Sequence, residues 1–150
     1  METKEPIAIR NAVPSDLDVI IALDEVGPKE EKPAYWRGIF DHYVKGGKKS
    51  RIFLVAETGG EVVGFISGEV RAWEFGSPPC GWVFALAVSP KTRGMGIGQR
   101  MFDEICRRLK QAGVTTVRTM VDRSNKVTLS FFRSKGLRTG RYIELEKEIV

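Results

Sequence analysis

The sequence predicts an α/β fold, α+β in its arrangement, in which one mixed sheet carries helices on both faces. Two alternating apolar segments flank Gly59 and Gly60, and this pattern indicates an antiparallel hairpin. An apolar segment at 80–88 precedes a helical stripe and another strand, and such a strand–helix–strand unit requires a parallel neighbour. A length of 150 residues without a repeat, low-complexity segment or linker indicates a single domain over 1–150.

The first half of the chain predicts one strand, two helices and the hairpin. The segment "IAIRNA" alternates between apolar and polar residues, as a half-buried strand does. Two helical patterns follow, and Pro14 suits the first turn of the first one. The predicted elements are a strand at 7–12, helices at 14–26 and 32–44, and hairpin strands at 51–58 and 61–73.

The second half predicts two more strand–helix pairs and a closing strand. The near-continuous apolar segment "CGWVFALAV" is typical of a buried strand. Apolar residues then recur every fourth position from Ile97 to Leu109, which gives one helical stripe that Gly113 ends. The predicted elements are a strand at 80–88, a helix at 97–112, a strand at 114–122, a helix at 124–136 capped by Ser124 or Asn125, and a strand at 141–150.

Charge and composition are those of an ordinary globular protein. The net charge is +5 and the pI about 9.4, but the basic residues are spread out and only "KGGKK" at 45–49 is dense. Nucleic-acid binding would rest on the pI alone, so we do not predict it. No apolar segment approaches the roughly 18 residues of a membrane span, and the N-terminus lacks the apolar core of a signal peptide. Cys80 and Cys106 lack metal-type spacing, so we predict no metal. Without an export signal, the two cysteines are predicted to be free thiols in a reducing compartment, and the protein to be cytoplasmic.

The glycine-rich segment "SPKTRGMGIGQRMF" lies between a predicted strand and a predicted helix, where glycines often hold a phosphate. It does not match the P-loop pattern G-x-x-x-x-G-K-[ST]. As a dinucleotide fingerprint, Gly94 and Gly96 fit the first two positions, but Gln99 occupies the third and "SPKTR" separates the strand from the glycines. Asp122 at the end of the next strand fits a ribose-binding acid, so a nucleotide-dependent oxidoreductase stays open as an alternative.

A second pattern in the same segment is R-x-x-G-x-G, formed by Arg93, Gly96 and Gly98. Glycines let a ligand lie against the backbone, and the amides and dipole at a helix start attract anions such as a pyrophosphate. The segment "ALAVSPKTRGMGIGQRMFDEICRRLKQAGV" resembles the acyl-CoA-binding motif [QR]-x-x-G-x-[GA] of the GNAT acetyltransferases. "NKVTLSFFRSKGL" is similar to their second cofactor segment, and the order of elements resembles the family across nearly the whole chain.

The resemblance implies a GNAT-like sheet, twisted and mostly antiparallel, with a splayed central pair of parallel strands. It implies acetyl-CoA as co-substrate, no metal, and direct transfer of the acetyl group to a primary amine. The backbone amide of Val88 would be the oxyanion donor. Asn125 matches a cofactor-contacting Asn and also suits a helix cap. The implied cofactor-binding residues are Leu86, Ala87, Val88, Arg93, Gly94, Met95, Gly96, Ile97, Gly98, Gln99, Arg100, Asn125 and Phe132.

One departure from the family lies at Phe132, where members frequently have a Tyr that acts as general acid. General acid catalysis contributes about 10²- to 10⁴-fold, and a thiolate with a parent pKa of roughly 8.5 leaves unaided, so turnover is compatible with phenylalanine. Water, Ser130 or Tyr142 are alternative proton donors. The departure also motivates a second hypothesis, a CoA-binding regulatory module with little or no turnover.

The base is less constrained than the donor site. Members often place a Glu on the strand of the oxyanion donor, but "GWVFALAV" contains no acid. Glu69 and Glu74, on or just past the neighbouring strand, are therefore the tentative bases. A lysine amine with a pKa of about 10.4 needs a base more than an α-amine with a pKa near 8 does.

The acceptor stays open between a small molecule and a peptide or protein amine. In the family, the loop between the first two helices lines the acceptor site, and here "DEVGPKEEKPA" carries Glu25, Glu30 and Glu31, which would suit a cationic acceptor. Only fourteen residues follow Gly136. Either the last hairpin is very short, or the final strand pairs with another subunit in a homodimer.

Overall fold

The computed structural model describes residues 5–24 and 30–150. Contacts within the chain group it into two compact units, Met1–Thr119 and Met120–Val150. The first unit holds the sheet and three helices, and the second holds one helix. A single domain over the whole chain stays a prediction.

The first unit is built on five strands: β1 Ala8–Asn11, β2 Arg51–Thr58, β3 Glu61–Arg71, β4 Cys80–Val88 and β5 Val117–Arg118. They form one sheet in the order β1-β2-β3-β4-β5. The first three pairings are antiparallel and β4–β5 is parallel, which confirms the predicted mixed, mostly antiparallel sheet. Gly59 and Gly60 make the β2–β3 turn at φ angles of 59° and 75°, which glycine adopts without strain.

Three helices accompany the sheet: α1 Leu17–Leu23, α2 Lys32–Phe40 and α3 Ile97–Gln111. A 3₁₀ turn, Pro14–Asp16, precedes α1, and a π-helical segment, Asp41–Lys45, continues α2. The helices predicted at 14–26 and 32–44 are thus present but less regular than their apolar spacing indicates. No helix in the two described ranges is both long and apolar enough to cross a membrane.

The helices α1 and α2 cover one face of the sheet. Trp36 of α2 packs edge-on against Phe53 and Phe65 on the strands, with ring centroids 6.0 and 5.2 Å apart. Ile20 of α1 and Phe40 of α2 complete this buried cluster. Apolar burial of this kind is the main favourable contribution to folding, so the cluster fixes how α1 and α2 lie on the sheet.

The helix α3 covers the opposite face, and glycines on β3 and β4 make room for it. Its buried stripe begins at Ile97 and ends at Leu109. A Cβ at Gly64 would lie 3.0 Å from Met101 Cε, and one at Gly81 would lie 2.6 Å from Leu109 Cδ1. Helices therefore lie on both faces of the sheet, as predicted.

A methyl group at Gly68 is expected to destabilise the first unit. Its Cβ would lie 2.7 Å from the carbonyl oxygen of Trp82 and 3.1 Å from Ile105 Cδ1. Because the nearer atom is backbone and cannot rotate away, we expect Gly68→Ala to lose about 1–3 kcal/mol of the free energy of unfolding. Gly38→Ala is the control: no described atom outside its own helix lies within 4 Å of its Cβ, and alanine in a helix interior should gain about 0.5–1 kcal/mol. Urea unfolding measures both, and equal stabilities would contradict the packing argument.

The second unit contains α4, Lys126–Ser134, close to the bounds predicted for it. The prediction of a strand at 141–150 is wrong, because these residues are exposed and have no regular structure. Alternation forms a strand only beside a partner, and in the described chain no strand pairs with this segment. The strand predicted at 114–122 likewise shortens to β5, which is the outermost strand, so the parallel pair lies at the edge of the described sheet.

Candidate active site

A β-bulge interrupts β4 just beyond its pairing with β5. The register of β3 against β4 skips Phe84, which is an extra residue opposite Ser67 and Gly68. The strand β5 pairs with β4 only at Gly81 and Trp82. In the described part of the chain, the rest of β4 pairs with no strand on that side. The parallel strands therefore splay, as the resemblance implies.

Downstream of the bulge, the backbone groups of β4 alternate between β3 and the open side. Ser89 N donates to Val63 O at 2.7 Å. The carbonyl oxygen of Ala87 also points toward β3, where it lies 3.1 Å from a Cβ built on that strand. Because the backbone groups of successive strand residues alternate, those of Leu86 and Val88 point away from β3.

The bulge is the reason for this orientation. Upstream of the bulge, Gly81 N donates to Thr116 O at 2.8 Å. In that part of β4, the backbone groups of the odd-numbered residues therefore point away from β3. The extra residue, Phe84, shifts the alternation by one position and turns Leu86 and Val88 to that same side. The end of β4 thus offers backbone donors and acceptors with which an extended ligand can pair.

The connection from β4 to α3 has two parts. A 3₁₀ turn, Pro90–Thr92, comes first, and the buried Thr92 Oγ1 donates to Ser89 O at 3.0 Å. This turn occupies the "SPKTR" segment that separates the strand from the glycines. Gly94 and Gly96 then adopt φ angles of 86° and 73°, and no atom of the described residues lies within 4 Å of a Cβ at either position. The glycines therefore leave open space beside the start of α3.

The first turn of α3 has no side-chain cap. Gly96 is its N-cap, no side chain caps the first turn, and the first intrahelical bond runs from Arg100 N to Gly96 O at 3.1 Å. The unsatisfied amides and the helix dipole give such an end about half a positive charge. The site fits a pyrophosphate in charge and in space, which is what the resemblance implies for CoA.

The side chains around this loop contribute unequally. Lys91 and Arg93 are exposed. Arg100 Nη2 donates to Ile7 O at 3.0 Å, so its guanidinium is held at the N-terminal end of the described chain rather than left over the loop. The remaining predicted contacts of the loop are the half-buried Met95 and Gly98, the buried Ile97 and the exposed Gln99.

Glu69, one predicted base, is bonded to two neighbours. Its Oε2 accepts from the Tyr43 hydroxyl at 2.7 Å, and its Oε1 accepts from Arg71 Nε at 2.8 Å. Burial raises the pKa of Glu69, but the hydrogen bonds from Tyr43 and Arg71 outweigh it and hold the pKa below its ordinary value. Burial, with Glu69 alongside, raises the pKa of Tyr43. Glu69 is thus a carboxylate at neutral pH and a weak proton acceptor.

Glu74, the other predicted base, lies at the exposed tip of the β3–β4 loop. The flanking Trp73 and Phe75 have φ angles of 66° and 54°, which are rare outside glycine, and their side chains are 71% and 88% exposed. Trp73 N donates to Ser77 O at 2.7 Å and closes the loop. The loop therefore holds the Glu74 carboxylate in water, and its role as base stays a prediction.

The second unit places Asn125 at the start of α4 as its N-cap. Asn125 Oδ1 accepts from Thr128 N at 3.1 Å, so of the two predicted caps the structure has Asn125. Ser124 instead donates to Asp122 Oδ1 from its amide and its hydroxyl, at 2.8 and 2.6 Å. Asp122, the acid of the dinucleotide alternative, is thus engaged in closing a local turn.

Phe132, on α4 of the second unit, is buried. It is 4% exposed and packs edge-on against Phe131, with ring centroids 5.3 Å apart. The position therefore offers neither a hydroxyl nor a water-exposed group. Its contact with CoA, like that of Asn125, stays a prediction.

Replacing Asn125 by serine would distinguish its role as a helix cap from its predicted contact with CoA. Serine also caps helices, so Asn125→Ser should keep the free energy of unfolding within about 0.5 kcal/mol, whereas Asn125→Ala should lose about 1 kcal/mol. If the amide also bonds CoA, Asn125→Ser should weaken CoA binding about 3- to 10-fold. Thermal unfolding at several CoA concentrations measures both quantities. Unchanged CoA affinity in Asn125→Ser would leave the cap as the only role.

The remaining predictions concern three acids and the two cysteines. Glu25 lies outside the described residues, while Glu30 and Glu31 are exposed at the start of α2. Neither Cys80 nor Cys106 forms a disulfide in the described residues, in agreement with the predicted thiols. Across 5–24 and 30–150, no three His, Cys, Asp or Glu side chains come together as a metal site.

Two residues that sequence reasoning missed belong to the site. Phe84 forms the bulge, and Tyr43 holds Glu69. Tyr43 has the helical spacing of an ordinary core residue, so nothing in the sequence indicated that its hydroxyl would bond Glu69. Phe84 had none either, because a bulge depends on which residues of β3 it faces.

Comparison with known proteins identifies related sequences. The family model described as the acetyltransferase (GNAT) family matches residues 18–137. An L-2,4-diaminobutyric acid acetyltransferase of Nocardia farcinica is 33% identical over 87 residues, which are 58% of this chain and 44% of the relative. An N-alpha-acetyltransferase of Sulfurisphaera tokodaii is 29% identical over 138 residues, 87% of this chain and 79% of the relative. The chain spans less than half the length of the first curated relatives it matches.

Solved structures share the fold. An aminoglycoside N-acetyltransferase, AAC(6')-Iy, in complex with CoA superimposes with a TM-score of 0.79 at 14% identity, over 99% of this chain and 98% of that chain. A transcriptional regulator from Bacillus halodurans gives a TM-score of 0.78 at 22% identity, over 96% and 100% of the two chains. Identities this low establish the fold alone.

Proposed function

Because the chain belongs to the GNAT family of acetyltransferases, we propose that it transfers an acetyl group from acetyl-CoA directly to a primary amine. The observation that supports the proposal most is the bulged β4, whose end carries outward-facing backbone groups and leads into the uncapped start of α3. An extended thioester donor needs both features: a strand edge for its arm and an anion site for its pyrophosphate. One chain segment, residues 84–100, supplies both.

Each part of this segment has a proposed task. When bound, acetyl-CoA supplies the thioester carbonyl that the amine attacks and the thiolate that leaves. The amides at the start of α3 bind the pyrophosphate, and Arg93 adds positive charge. Leu86 pairs with the arm of the donor. The Val88 N–H donates to the carbonyl oxygen as negative charge develops on it, a contribution typically of about 2.7–4 kcal/mol for one donor.

The proton of the ammonium must leave as the amide forms. Neither tentative base has an environment that strengthens it: Glu69 is held ionised by its two donors, and Glu74 is exposed. We therefore propose an acceptor amine that needs little help, such as an α-amine. With a pKa near 8, about 10% of such an amine is neutral at pH 7, against roughly 0.04% of a lysine amine.

The test is release of the CoA thiol from acetyl-CoA in the presence of a panel of amines. The panel contains α-amino acids, short peptides, aminoglycosides, polyamines and a lysine side chain with a blocked α-amine. Release that requires an amine, with one acetyl group gained by that amine, is the expected result. CoA binding without release across the panel would instead support the regulatory module that Phe132 motivates.

A ligand screen by thermal unfolding distinguishes the nucleotide-dependent oxidoreductase. CoA at 100 times its dissociation constant should raise the free energy of unfolding by about 2.7 kcal/mol, because it binds only the folded chain. NAD(H) should have no such effect. Protection by NAD(H) and none by CoA would overturn the proposed donor.

A further inference from the structure

A closed series of contacts surrounds the bulge of β4. The extra residue, Phe84, packs edge-on against the Tyr43 ring, with centroids 5.4 Å apart. The Tyr43 hydroxyl donates to Glu69, which also accepts from Arg71. The Arg71 guanidinium carbon lies 5.3 Å above the Trp82 ring, and Trp82 is two residues before Phe84. The contacts thus connect Phe84, at the bulge, with Trp82, on the upstream side of it in β4.

This series, called the bulge clamp below, consists of Tyr43, Glu69, Arg71, Trp82 and Phe84. Trp82 and Glu69 are opposed in the β3–β4 register, so the clamp also bridges the two strands. Tyr43 is the only member outside the sheet. It comes from the π-helical segment Asp41–Lys45, and such segments are often found at functional sites.

The central hydrogen bond of the clamp persists across the neutral pH range. Burial and the carboxylate of Glu69 raise the pKa of Tyr43, so the phenol keeps its proton. Burial raises the pKa of Glu69, but the hydrogen bonds from Tyr43 and Arg71 outweigh burial and lower it, so the carboxylate keeps its charge. The charges of Arg51 and Arg71 lower both pKa values without reversing the shift of Tyr43. A donor that stays protonated beside an acceptor that stays ionised makes a short, charge-assisted bond.

We propose that Tyr43 is a positioning residue that fixes the β4 bulge and, through it, the backbone N–H of Val88. The inference rests on the proposed acetyl transfer. The extra residue Phe84 determines that the Val88 N–H points away from β3. The ring of Phe84 packs against the ring of Tyr43. Catalytic geometry is sensitive at this scale, since a misplacement of about 1 Å can lower a rate by about 10²-fold.

The variant Tyr43→Phe tests the proposal because it keeps the ring against Phe84 and removes only the hydroxyl. We expect kcat to fall roughly 10-fold, since the bulge loosens without collapsing. The dissociation constant of CoA should stay within about twofold, since the anion site at the start of α3 is built from other residues. Amide hydrogen exchange across residues 84–88 should accelerate by roughly 10-fold at Ala85 and Ala87, the amides of that segment that face β3.

Tyr35→Phe is the matched control. Tyr35 lies on α2, and its side chain is 52% exposed. Tyr35→Phe also removes one phenolic hydroxyl, but from a residue outside the bulge clamp. Its kcat, CoA affinity and exchange at 84–88 should equal those of the wild type. Glu69→Gln is a second variant that weakens the clamp from the sheet side. Its effects and those of Tyr43→Phe should be less than additive in the double variant, because both act on one bond.

The outcomes separate the inference from the proposed function. Wild-type kcat and wild-type exchange in Tyr43→Phe would overturn the inference, and so would a lower kcat with unchanged exchange at 84–88. If the wild type releases no thiol with any amine, the proposed function fails. In that case the exchange comparison alone still decides whether Tyr43 fixes the bulge, and unaltered exchange rejects it.

Discussion

Replacing Val88 by proline is expected to lower kcat for acetyl transfer by roughly 10²- to 10³-fold, because the change removes the proposed oxyanion donor. The Val88 N–H points away from β3, so the sheet loses no hydrogen bond. Proline is tolerated in a strand where its nitrogen faces away from the ladder. The CoA dissociation constant should rise no more than about 10-fold, the equivalent of one hydrogen bond. Single-turnover thiol release together with CoA titration measures the two effects separately.

The neighbouring position supplies the contrast for this experiment. Ala87 is paired with Phe65, and its backbone groups bond β3, so Ala87→Pro should lower the melting temperature rather than act on chemistry alone. Val88→Ala keeps the amide and should retain kcat within a few-fold. A folded Val88→Pro variant that turns over at the wild-type rate would contradict the oxyanion role. Loss of turnover in Val88→Ala as well would assign the effect to the side chain.

The elements that were predicted well carry their information locally. The strand β4 has the predicted bounds, because nine residues rich in apolar side chains lie between prolines at 79 and 90. The helix α3 ends one residue before the predicted end, because an uninterrupted apolar stripe runs to Leu109 and Gly113 follows as a stop. The glycine loop was also recognisable, because a positive φ angle at Gly96 restricts the residue type.

The elements that were missed depend on distant partners. Residues 141–150 alternate as a strand does, yet the pattern only makes a strand possible and does not supply a neighbour to pair with. The bulge at Phe84 arises from the register with β3, and nothing in "WVFALAV" distinguishes this position. Tyr43 joins the site through a hydrogen bond to a residue 26 positions away. Side-chain spacing along a helix carries no record of such a contact.

Replacing Gly96 by aspartate is expected to weaken CoA binding by on the order of 10²-fold or more, while the fold is kept. An added carboxylate about 4 Å from a bound phosphate charge opposes it by about 4 kcal/mol at an effective dielectric constant of 20, and exposure to solvent reduces this figure. Gly96 holds the N-cap position of α3 at φ 73° and ψ 21°, outside the extended region from which an aspartate side chain caps a helix. The expected loss therefore comes from the charge of the new carboxylate beside the start of α3.

Asparagine at the same position is the matched control. It has nearly the same shape, and like aspartate it tolerates positive φ angles such as the 73° of Gly96 better than most residues. No described atom lies within 4 Å of a Cβ there, so both variants meet the same backbone strain at this φ angle and no clash with the described residues. Gly96→Asn therefore reports the loss due to shape and to that strain. The difference between the two variants reports charge alone.

Ionic strength then decides whether the loop acts as an anion site. A loss that is electrostatic should shrink with salt, because the Debye length falls from about 10 Å at 0.1 M to about 3 Å at 1 M. Titration of CoA at both salt concentrations should bring the Asp variant closer to the Asn variant. If the two variants bind CoA equally at low salt, the start of α3 does not bind the pyrophosphate. The donor would then be bound mainly by the edge of β4, and Val88→Pro would have to weaken CoA binding as strongly as it lowers turnover.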